Sequence, residues 1–547
     1  MATSLYVAIC DSFSLGTVFV LLLLLFFLHY LMVKYEFRGM PPGPRLTCLP
    51  VLGNVFSLDF KAEKLTGAFE SLRTTYGGVF SLKIGSYKFV MASTPDAVKE
   101  LLVTKSVDFA GRPQTFSTIR RTLGGKDLAF ANYGPAWKFH RKLFTTALRN
   151  YITDIPMIDK RVSAQAVKLV RFMEEQEGKP FDPADCLMRA VADVICGITF
   201  GEGLDTTHPD LKKLLELCAH VVDNEETAQL VTMLDFFPWA KYLPINAYDD
   251  FIQPFFEMHK IIRRFLKERE DSLNPRQPAK DFVSGLLSAR EEAKIEDDKG
   301  RSSFLCDDYL VNSIQNMFGA GYETTSTTLK WAIAFLVNYP KYQEDIHRQL
   351  DEAVGGRSLS LNDRPSLPLI QATIIETLRV GNVGPLLLPH VTNVDTTLRG
   401  YRVPKGTFVF ANTETVHLDP KCWEDPLVFN PYRHIDKDGK FITSQSNFYP
   451  FGAGRRVCAG EVLAKVELFL FISWLLQHFT FVAEKDGHPP SLKGIFSITQ
   501  FPVPYKIRAI IRKPRNGFIT QQNPNPNVWL PDAVLHCSQS SFNFILL

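Results

Sequence analysis

The sequence FGAGRRVCAG at residues 451–460 places a single cysteine, Cys458, in a glycine-rich loop beside two arginines. The apolar run EVLAKVELFLFISWLLQHF, residues 461–479, follows at once and predicts a helix that begins just after the cysteine. A helix N-terminus and a nearby guanidinium both favour a thiolate, and a thiolate sulfur is a strong electron donor to iron. The loop therefore predicts an iron-ligating cysteine. The alternative is that Cys458 is a small buried apolar residue.

The composition is that of a globular protein, with 46% apolar and 22% charged residues in a chain of 547. The net charge is +3, and neither a basic tail nor an arginine-rich run is present, so nucleic acid is not expected as a partner. The nine cysteines are scattered and odd in number, which argues against a secreted disulfide framework. The bulk of the chain is therefore expected to face a reducing compartment.

Residues 1–39 are predicted to form a membrane anchor. No charged residue lies between Asp11 and Lys34, and a helix needs about 20 such residues to cross a bilayer core. A cleaved signal peptide is the alternative, but its apolar region is usually shorter and ends in small residues, whereas this run ends in Met32 and Val33. Basic residues follow the span, so the positive-inside rule predicts a cytosolic body.

Residues 40–513 are predicted to form one large domain that is mainly α-helical with small β-sheets. Strand pairs are expected around residues 85–86 and 404–406, where β-prone runs flank turn residues. Long amphipathic patterns between these pairs predict helices. Residues 514–547 lose this periodicity and gain asparagine and proline, so a poorly ordered tail is expected there.

The spacing of Phe451, Gly454, Arg456, Cys458 and Gly460 matches the pattern F-x-x-G-x-R-x-C-x-G. A chance match in a chain of average composition has a probability on the order of one in ten thousand. The pattern resembles the haem-binding signature of the cytochrome P450 superfamily. This resemblance implies the family's fold, a large helical domain with a minor sheet region behind an N-terminal transmembrane helix. It also implies haem b, with Cys458 as axial iron ligand and Arg456 on a propionate.

Further propionate contacts are expected by the same resemblance. Trp137 and Arg141 stand one turn apart on a predicted helix, so their indole N–H and guanidinium share one face. Arg112 in FAGRPQTF and His390 in LLLPHV resemble the remaining propionate contacts of microsomal members.

Glu376 and Arg379 resemble the family's E-x-x-R, and Arg433 completes a buried Glu-Arg-Arg set. One carboxylate and two guanidiniums can satisfy one another when they are buried together. Alone, the pattern is equally typical of a surface ion pair on a helix. The sequence departs from the family at Gly381-Asn382, where a proline is usual, and around Arg433, which stands in PYRH.

The segment AGYETT, residues 320–325, lies in the middle of a long apolar helical pattern. The Thr324 hydroxyl can reach the Ala320 carbonyl and loosen the helix beside Gly321. The segment resembles the family's A-G-x-[DE]-T-[TS], which implies that Glu323 and Thr324 are catalytic and deliver protons for oxygen activation. The alternative is a Gly-Thr kink in a packed helix, with Glu323 salt-bridged elsewhere.

The resemblance implies a monooxygenase of the endoplasmic reticulum membrane that inserts one oxygen atom from O2 into a lipophilic substrate. Electrons are expected from NADPH through NADPH–cytochrome P450 reductase, with cytochrome b5 as a further partner. The stretches FGAGYETTSTTLKWAIAFL, FAGRPQTF and PLLLPHVTNVD resemble animal steroid- and drug-metabolising members, steroid 17-hydroxylases among them, so a steroid-like substrate is expected. The predicted pocket residues are Ala320, Val383, Gly384, Leu387 and Ile498, and their apolar character fits a lipophilic substrate.

Other functions remain open at this point. The substrate class allows a fatty acid or a xenobiotic instead of a steroid. A haem-thiolate isomerase or lyase that needs no reductase, and a non-catalytic haem-binding membrane protein, are two other classes. The intact pair of Glu323 and Thr324 speaks against both.

Overall fold

The structure is a computed structural model that describes residues 15–58, 62–273, 279–295, 304, 306–496 and 499–512. The predicted tail at 514–547 and the predicted pocket residue Ile498 lie outside the described residues. All cysteines of the described part are free thiols.

Helices account for most of the described residues. They are α1 (Leu15–Glu36), α2 (Ala62–Tyr76), α3 (Pro95–Lys99), α4 (Phe116–Arg121), α5 (Pro135–Ile152), α6 (Ile155–Glu174), α7 (Ala184–Phe200), α8 (Pro209–Asp223), α9 (Glu225–Asp235), α10 (Ala247–Asp271), α11 (Phe282–Ile295), α12 (Asp307–Asn338), α13 (Pro340–Ala353), α14 (Pro368–Val380), α15 (Thr413–His417) and α16 (Glu461–His478). The prediction of a mainly helical chain is confirmed.

The strands are short and form small sheets. They are β1 (Val79–Ile84), β2 (Tyr87–Ala92), β3 (His390–Val391), β4 (Thr396–Leu398), β5 (Tyr401–Val403), β6 (Phe408–Ala411), β7 (Phe479–Ala483), β8 (Gly494–Phe496), β9 (Gln500–Pro502) and β10 (Ile507–Ile511). One sheet has the order β1-β2-β6-β3, and the pairs β4-β5, β7-β10 and β8-β9 form two-stranded sheets.

The first predicted strand pair is confirmed and the second is wrong. β1 and β2 are antiparallel, and the pair Ile84 and Tyr87 encloses the turn at Gly85 and Ser86. At residues 404–406 both flanking strands exist, but they belong to different sheets. β5 pairs with β4, whereas β6 lies parallel to β2 and antiparallel to β3. Pairing with distant strands buries most of β6, which a solvent-facing hairpin with β5 would leave half exposed.

α1 is long and apolar enough to cross a membrane, as the sequence predicts. Its 22 residues span about 33 Å, and its middle is exposed in the isolated chain. Its last turn touches the body, because Lys83 and Lys88 of the first hairpin lie 2.7 and 3.3 Å from the Glu36 carboxylate. The end of α1 and the first sheet are therefore joined by direct contacts.

The core is organised around α12 and α16. α16 is apolar on every face, so it is buried from Leu463 to Gln477 with little exposed surface. α12 is 32 residues long and packs closely on α7. A Cβ at Gly321 would lie 2.8 Å from Ile195 Cδ1, so this glycine allows the two helices to approach. The oxygen-activating segment predicted from the sequence thus lies in the middle of the core.

Candidate active site

The cysteine loop is a tight turn that only glycine permits at its centre. Gly454 has a φ of 67°, in the left-handed region. A Cβ there would lie 1.9 Å from the Leu102 carbonyl oxygen, so a larger residue would displace the loop from the segment it packs on. The Cys458 N–H donates to the Phe451 carbonyl at 2.9 Å. This bond closes the loop three residues before α16 begins.

The Cys458 thiol is accessible, yet protein atoms surround it closely enough to shift its ionisation. Burial raises the pKa of the thiol, whereas the Gly460 N–H and the Arg141 guanidinium lower it. The predicted helix terminus and positive charge are therefore present, but burial outweighs them in the protein alone. Binding of a metal ion deprotonates a cysteine ligand, so the thiolate is the form expected in a metal-bound site.

Three guanidiniums lie around the cysteine loop, and none forms an ion pair with a carboxylate of the described residues. Their N–H groups donate instead to backbone carbonyls, at 2.9 Å from Arg112 to Leu388, 2.6 Å from Arg141 to Val457 and 2.7 Å from Arg456 to Ala131. Burial lowers the pKa of Arg112 to about 9 and that of Arg456 to about 8, with neighbouring guanidiniums contributing at Arg456. Buried positive charge of this kind favours a bound anion.

The rings of Trp137 and His390 lie beside this cluster of guanidiniums. The His390 Nδ1–H donates to the Phe109 carbonyl at 2.6 Å, and burial holds the pKa of His390 well below its usual range. The Trp137 ring lies 4.1 Å from the Arg456 guanidinium, in cation–π geometry. Its indole N–H donates to the Leu128 carbonyl at 2.8 Å. The resemblance implies that this donor faces a propionate, whereas in the structure it binds a carbonyl of the chain's own backbone.

The structure brings Glu376, Arg379 and Arg433 together, with Glu376 and Arg379 fully buried. Arg379 donates twice to the Glu376 carboxylate at 2.8 Å, and Arg433 Nε donates at 2.9 Å. His434 Nε2 donates to the second carboxylate oxygen at 2.8 Å. Burial acts to raise the pKa of Glu376, but the bonds from Arg379 and His434 outweigh it and lower the pKa to about 2. The alternative of a surface ion pair is excluded.

Glu323 and Thr324 lie at the centre of α12. The Thr324 hydroxyl donates to the Ala320 carbonyl at 2.8 Å, the contact that the sequence suggested. The expected loosening is not seen, because α12 continues without interruption from residue 307 to 338. Glu323 accepts a bond of 2.6 Å from the Thr499 hydroxyl, and burial raises its pKa. Ala320 is exposed although most of α12 is buried.

The other predicted pocket residues lie in the segment between α14 and β3. Val383 is half-buried, and its carbonyl accepts a bond of 2.8 Å from the Gln500 N–H of β9. Gly384 and Leu387 are also half-buried. Leu387 has a φ of 52°, an unusual conformation for a leucine, and its side chain lies 3.6 Å from the Cβ position of Gly452 in the cysteine loop. The segment is thus held between β9 and the cysteine loop.

The family model described as Cytochrome P450 matches residues 41–509, which include every site residue described above. The chain belongs to the cytochrome P450 family. It is 36% identical over 484 residues to "Steroid 17-alpha-hydroxylase/17,20 lyase" of Gallus gallus, covering 86% of this chain and 92% of the relative. It is 33% identical over 493 residues to "Cytochrome P450 2U1" of Bos taurus, with 86% and 89% covered. "Cytochrome P450 2J5" of Mus musculus is 33% identical over 522 residues, with 93% and 99% covered.

Membership makes the chain a cytochrome P450 monooxygenase, an oxidoreductase, and implies a haem iron with a cysteine thiolate ligand. The residues present fit that group. Cys458 is the accessible thiol of the signature loop, and Arg112, Arg141 and Arg456 supply positive charge that no carboxylate of the described residues pairs directly. Two propionate carboxylates are the kind of anion that such a set would bind.

Sequence reasoning missed His434 and Thr499. In the sequence PYRH is only a departure from the family pattern, but in the structure its histidine supplies a fourth partner to Glu376 besides the two arginines and the Asn430 N–H. A histidine next to a predicted buried arginine was the available signal. Thr499 is 176 residues from Glu323 in the chain, and nothing in the local sequence indicates their contact.

Proposed function

We propose that this cytochrome P450 inserts one oxygen atom from O2 into a steroid-like lipophilic substrate, with electrons from NADPH delivered by a membrane-bound reductase. The observation that carries the proposal is the intact Glu323 and Thr324 pair on a chain that spans 92% of a relative named for steroid hydroxylation. The apolar helix α1 supports anchoring in the endoplasmic reticulum membrane, with the body in the cytosol.

Haem b is the proposed cofactor, and when bound it supplies the activation of O2 at an iron that receives electron density from a thiolate. Cys458 would provide the sulfur, with Phe451 and Gly460 shaping the loop around it. Arg112, Arg141 and Arg456 would hold the propionates and so fix the cofactor's orientation. The buried set of Glu376, Arg379 and Arg433 is proposed to have a structural role, because its ion pairs join α14 to the segment after Asn430.

Cys458→Ser tests the ligand assignment. Loss of the thiolate is expected to abolish the long-wavelength carbon monoxide band of the reduced protein, because that band reports sulfur ligation. Cys422→Ser is the matched control, since Cys422 lies near the cysteine loop but outside the signature. Persistence of the band in Cys458→Ser would refute the assignment.

Proton delivery is the proposed role of Glu323 and Thr324. Burial raises the pKa of Glu323 and so favours its protonated form, and the Thr324 hydroxyl can pass a proton on. In Thr324→Ala the fraction of consumed NADPH that appears as product is expected to fall several-fold. Thr328→Ala is the control, because the Thr328 hydroxyl makes the same type of backbone bond one turn further along α12. If that fraction were unchanged in Thr324→Ala, the proposed role would be refuted.

The reductase is proposed to dock on the thiolate side of the loop. A surface cavity there is lined by residues of α5 and of the cysteine loop, among them the exposed cations Lys138 and Arg455, and no acidic residue lines it. Complementary charge speeds the encounter of proteins. The double variant Lys138→Glu and Arg455→Glu is expected to raise the KM for reductase several-fold and to leave substrate binding unchanged. An unchanged KM would contradict this docking face.

Reconstitution with NADPH–cytochrome P450 reductase distinguishes the functions that the sequence left open. Progesterone, palmitic acid and a lipophilic amine drug would be supplied in turn, and oxygenated products measured with and without NADPH, O2 and cytochrome b5. The proposal predicts an oxygenated steroid that requires both NADPH and O2. Product without NADPH would indicate an isomerase or lyase, product from palmitate or the drug alone would correct the substrate class, and no product from any probe would contradict catalysis.

A further inference from the structure

The carboxyl of Glu323 is held by a neutral hydroxyl and not by a cation. The Thr499 hydroxyl donates to Glu323 Oε1 at 2.6 Å, although the two residues are 176 positions apart in the chain. Glu323 makes no ion pair with any residue that the structure describes, so the salt bridge left open by the sequence is not formed within that part of the chain. The contact with Thr499 therefore fixes which way the carboxyl faces.

Three buried glutamates of this chain show why the kind of partner matters. Burial alone would raise the pKa of Glu376, but its arginine and histidine partners lower it to about 2. Burial raises the pKa of Glu467 to about 8, because only a threonine hydroxyl acts against it. Burial raises the pKa of Glu323 as well, although the bond from Thr499 acts to lower it. A threonine hydroxyl thus orients a buried carboxyl without fixing it as a carboxylate.

A hydroxyl can bind a carboxyl in both of its protonation states. It donates to a carboxylate and accepts from a carboxylic acid, whereas a lysine or arginine side chain only donates. Two other titratable groups lie near Glu323. Lys330, two turns later on α12, acts to lower the pKa of Glu323, while burial and the charge of Glu323 raise the pKa of the Cys218 thiol to about 12. Neither group changes its charge near neutral pH, so Thr499 is the partner that can follow the proton of Glu323.

Contacts of the neighbouring residue fix the position of Thr499, which directly precedes β9. Gln500 pairs with β8 and donates its N–H to the Val383 carbonyl at 2.8 Å. Its own carbonyl accepts a bond of 3.1 Å from the indole N–H of Trp331, a buried residue of α12. Glu323 and Trp331 are about 12 Å apart along the helix axis, so the start of β9 meets α12 at two places. The Thr499 hydroxyl is therefore held against α12.

We propose that Thr499 is a positioning residue for proton delivery, and that its hydroxyl holds the Glu323 carboxyl in one orientation while the carboxyl loses and regains its proton. Glu323 gives its proton toward Thr324 and takes one back from water, and Thr499 neither gains nor loses a proton overall. A carboxyl without this contact would turn among several orientations and would offer its proton to Thr324 less often. This inference rests on the proposed role of Glu323 and deepens it by naming the residue that orients the acid.

Two measurements on the full-length holoprotein test this role. An infrared pH titration follows the carboxyl stretch that disappears in Glu323→Gln, and reconstitution with reductase gives the fraction of consumed NADPH that appears as product from progesterone. In Thr499→Val the infrared midpoint is expected to move to higher pH, because a bond that favours the carboxylate is lost. The NADPH fraction is expected to fall about 2- to 10-fold, the effect of one hydrogen bond. Thr499→Ser, which keeps the hydroxyl, is expected to restore both. Thr480→Val, at a half-buried position of β7, is the control and should change neither.

An unchanged infrared midpoint in Thr499→Val would overturn the proposal, as would equal effects of Thr499→Val and Thr499→Ser. The long-wavelength carbon monoxide band checks that each variant binds haem, and Thr499→Ala would repeat the test if Thr499→Val lost that band. If progesterone gave no product, or if Glu323→Gln left the NADPH fraction unchanged, the proposed function would fail. The infrared midpoint would still decide whether Thr499 holds the Glu323 carboxyl.

Discussion

Glu467 is a buried acidic residue whose surroundings change its ionisation. It lies on α16, is 1% exposed, and neither carboxyl oxygen makes a hydrogen bond of ordinary geometry within the described residues. The Thr325 hydroxyl of α12 acts to lower the pKa of this carboxyl. Burial raises the pKa of Glu467 from 4.5 to about 8. The residue is therefore neutral in the folded protein at neutral pH.

This raised pKa makes the protein less stable as the pH rises. Between about pH 4.5 and 8 the folded state holds a proton on Glu467 that the unfolded state has lost, so the free energy of unfolding falls with pH. Glu467→Gln removes this dependence. The stability of the variant relative to the unmodified protein should increase by about 2 to 3 kcal/mol between pH 5 and 7.

Urea unfolding at several pH values measures this difference. Glu484→Gln, at an exposed position after β7, controls for the general effect of removing a carboxylate. A difference between Glu467→Gln and the unmodified protein that does not vary with pH would show that the Glu467 carboxyl is not held neutral.

The chain contains two Glu-Arg pairs of identical spacing in different surroundings. Glu376 and Arg379 are fully buried, whereas in the pair Glu70 and Arg73 half of the glutamate side chain is exposed. Glu376→Gln is expected to cost about 3 to 5 kcal/mol, because two guanidiniums lose their buried counter-charge. Glu70→Gln is expected to cost under about 1 kcal/mol. Unfolding in urea and retention of haem during purification measure both variants, and equal losses would contradict the buried network.

Gly321 allows α12 to pack closely on α7, and it does not interrupt the helix. In Gly321→Ala the new methyl group would approach buried Ile195 to 2.8 Å, and such overpacking costs about 1 to 3 kcal/mol. The better helix propensity of alanine offsets about 1 kcal/mol of this. The net expectation is a destabilised protein with a lower midpoint of thermal unfolding.

Gly67→Ala is the matched test of propensity alone. Gly67 is an exposed residue of α2, and no atom lies within 4 Å of its Cβ position. This change is expected to stabilise the protein by up to about 1 kcal/mol. If both substitutions stabilised the protein, the close contact of α12 and α7 would be disproved.

The elements show why sequence reasoning succeeds for helices and fails for some sheets. The helix after Cys458 and the hairpin at Gly85 follow from local periodicity and turn residues, and both are present. β6 forms as predicted, but the prediction of its partner strand is wrong. It pairs with β2 and β3, which lie in distant parts of the chain, because that pairing buries it. Local patterns predict which elements form, but not which non-local surfaces they bury.

The C-terminal end of α1 and the residue that follows it pack against the body of the protein. Val33 and Phe37 are 2% and 4% exposed and pack with the first sheet. After deletion of residues 2–28, an alkaline wash of the membranes is expected to release the protein. The stability of the body is expected to stay unchanged. Deletion of residues 2–40 should also lower stability by a few kcal/mol, since each large apolar side chain contributes about 1.5 to 3 kcal/mol.

Fractionation and thermal unfolding distinguish the two deletions. Equal stability would show that the contacts of Val33 and Phe37 do not matter to the body. A protein that stays in the membrane fraction after the shorter deletion would show that another surface binds lipid.

Short local patterns predicted the thiol, Arg456 and the pair of Glu376 and Arg379. The place of Arg433, 57 residues from Glu376 in the chain, was expected only from the family resemblance. Arg121 is one of two adjacent arginines in the sequence, and only the fold places one against Asp249 and the other between two phenyl rings. The surroundings of each arginine therefore depend on the tertiary structure.

The ion pairs of Glu36 with Lys83 and Lys88 have a consequence for how the enzyme meets different membranes. A helix longer than the local hydrocarbon layer tilts to remain within it. Because the last turn of α1 is fastened to the first hairpin, a change of tilt turns the whole catalytic body against the lipid surface. Bilayer thickness would thus set which face of the enzyme lies toward the lipids.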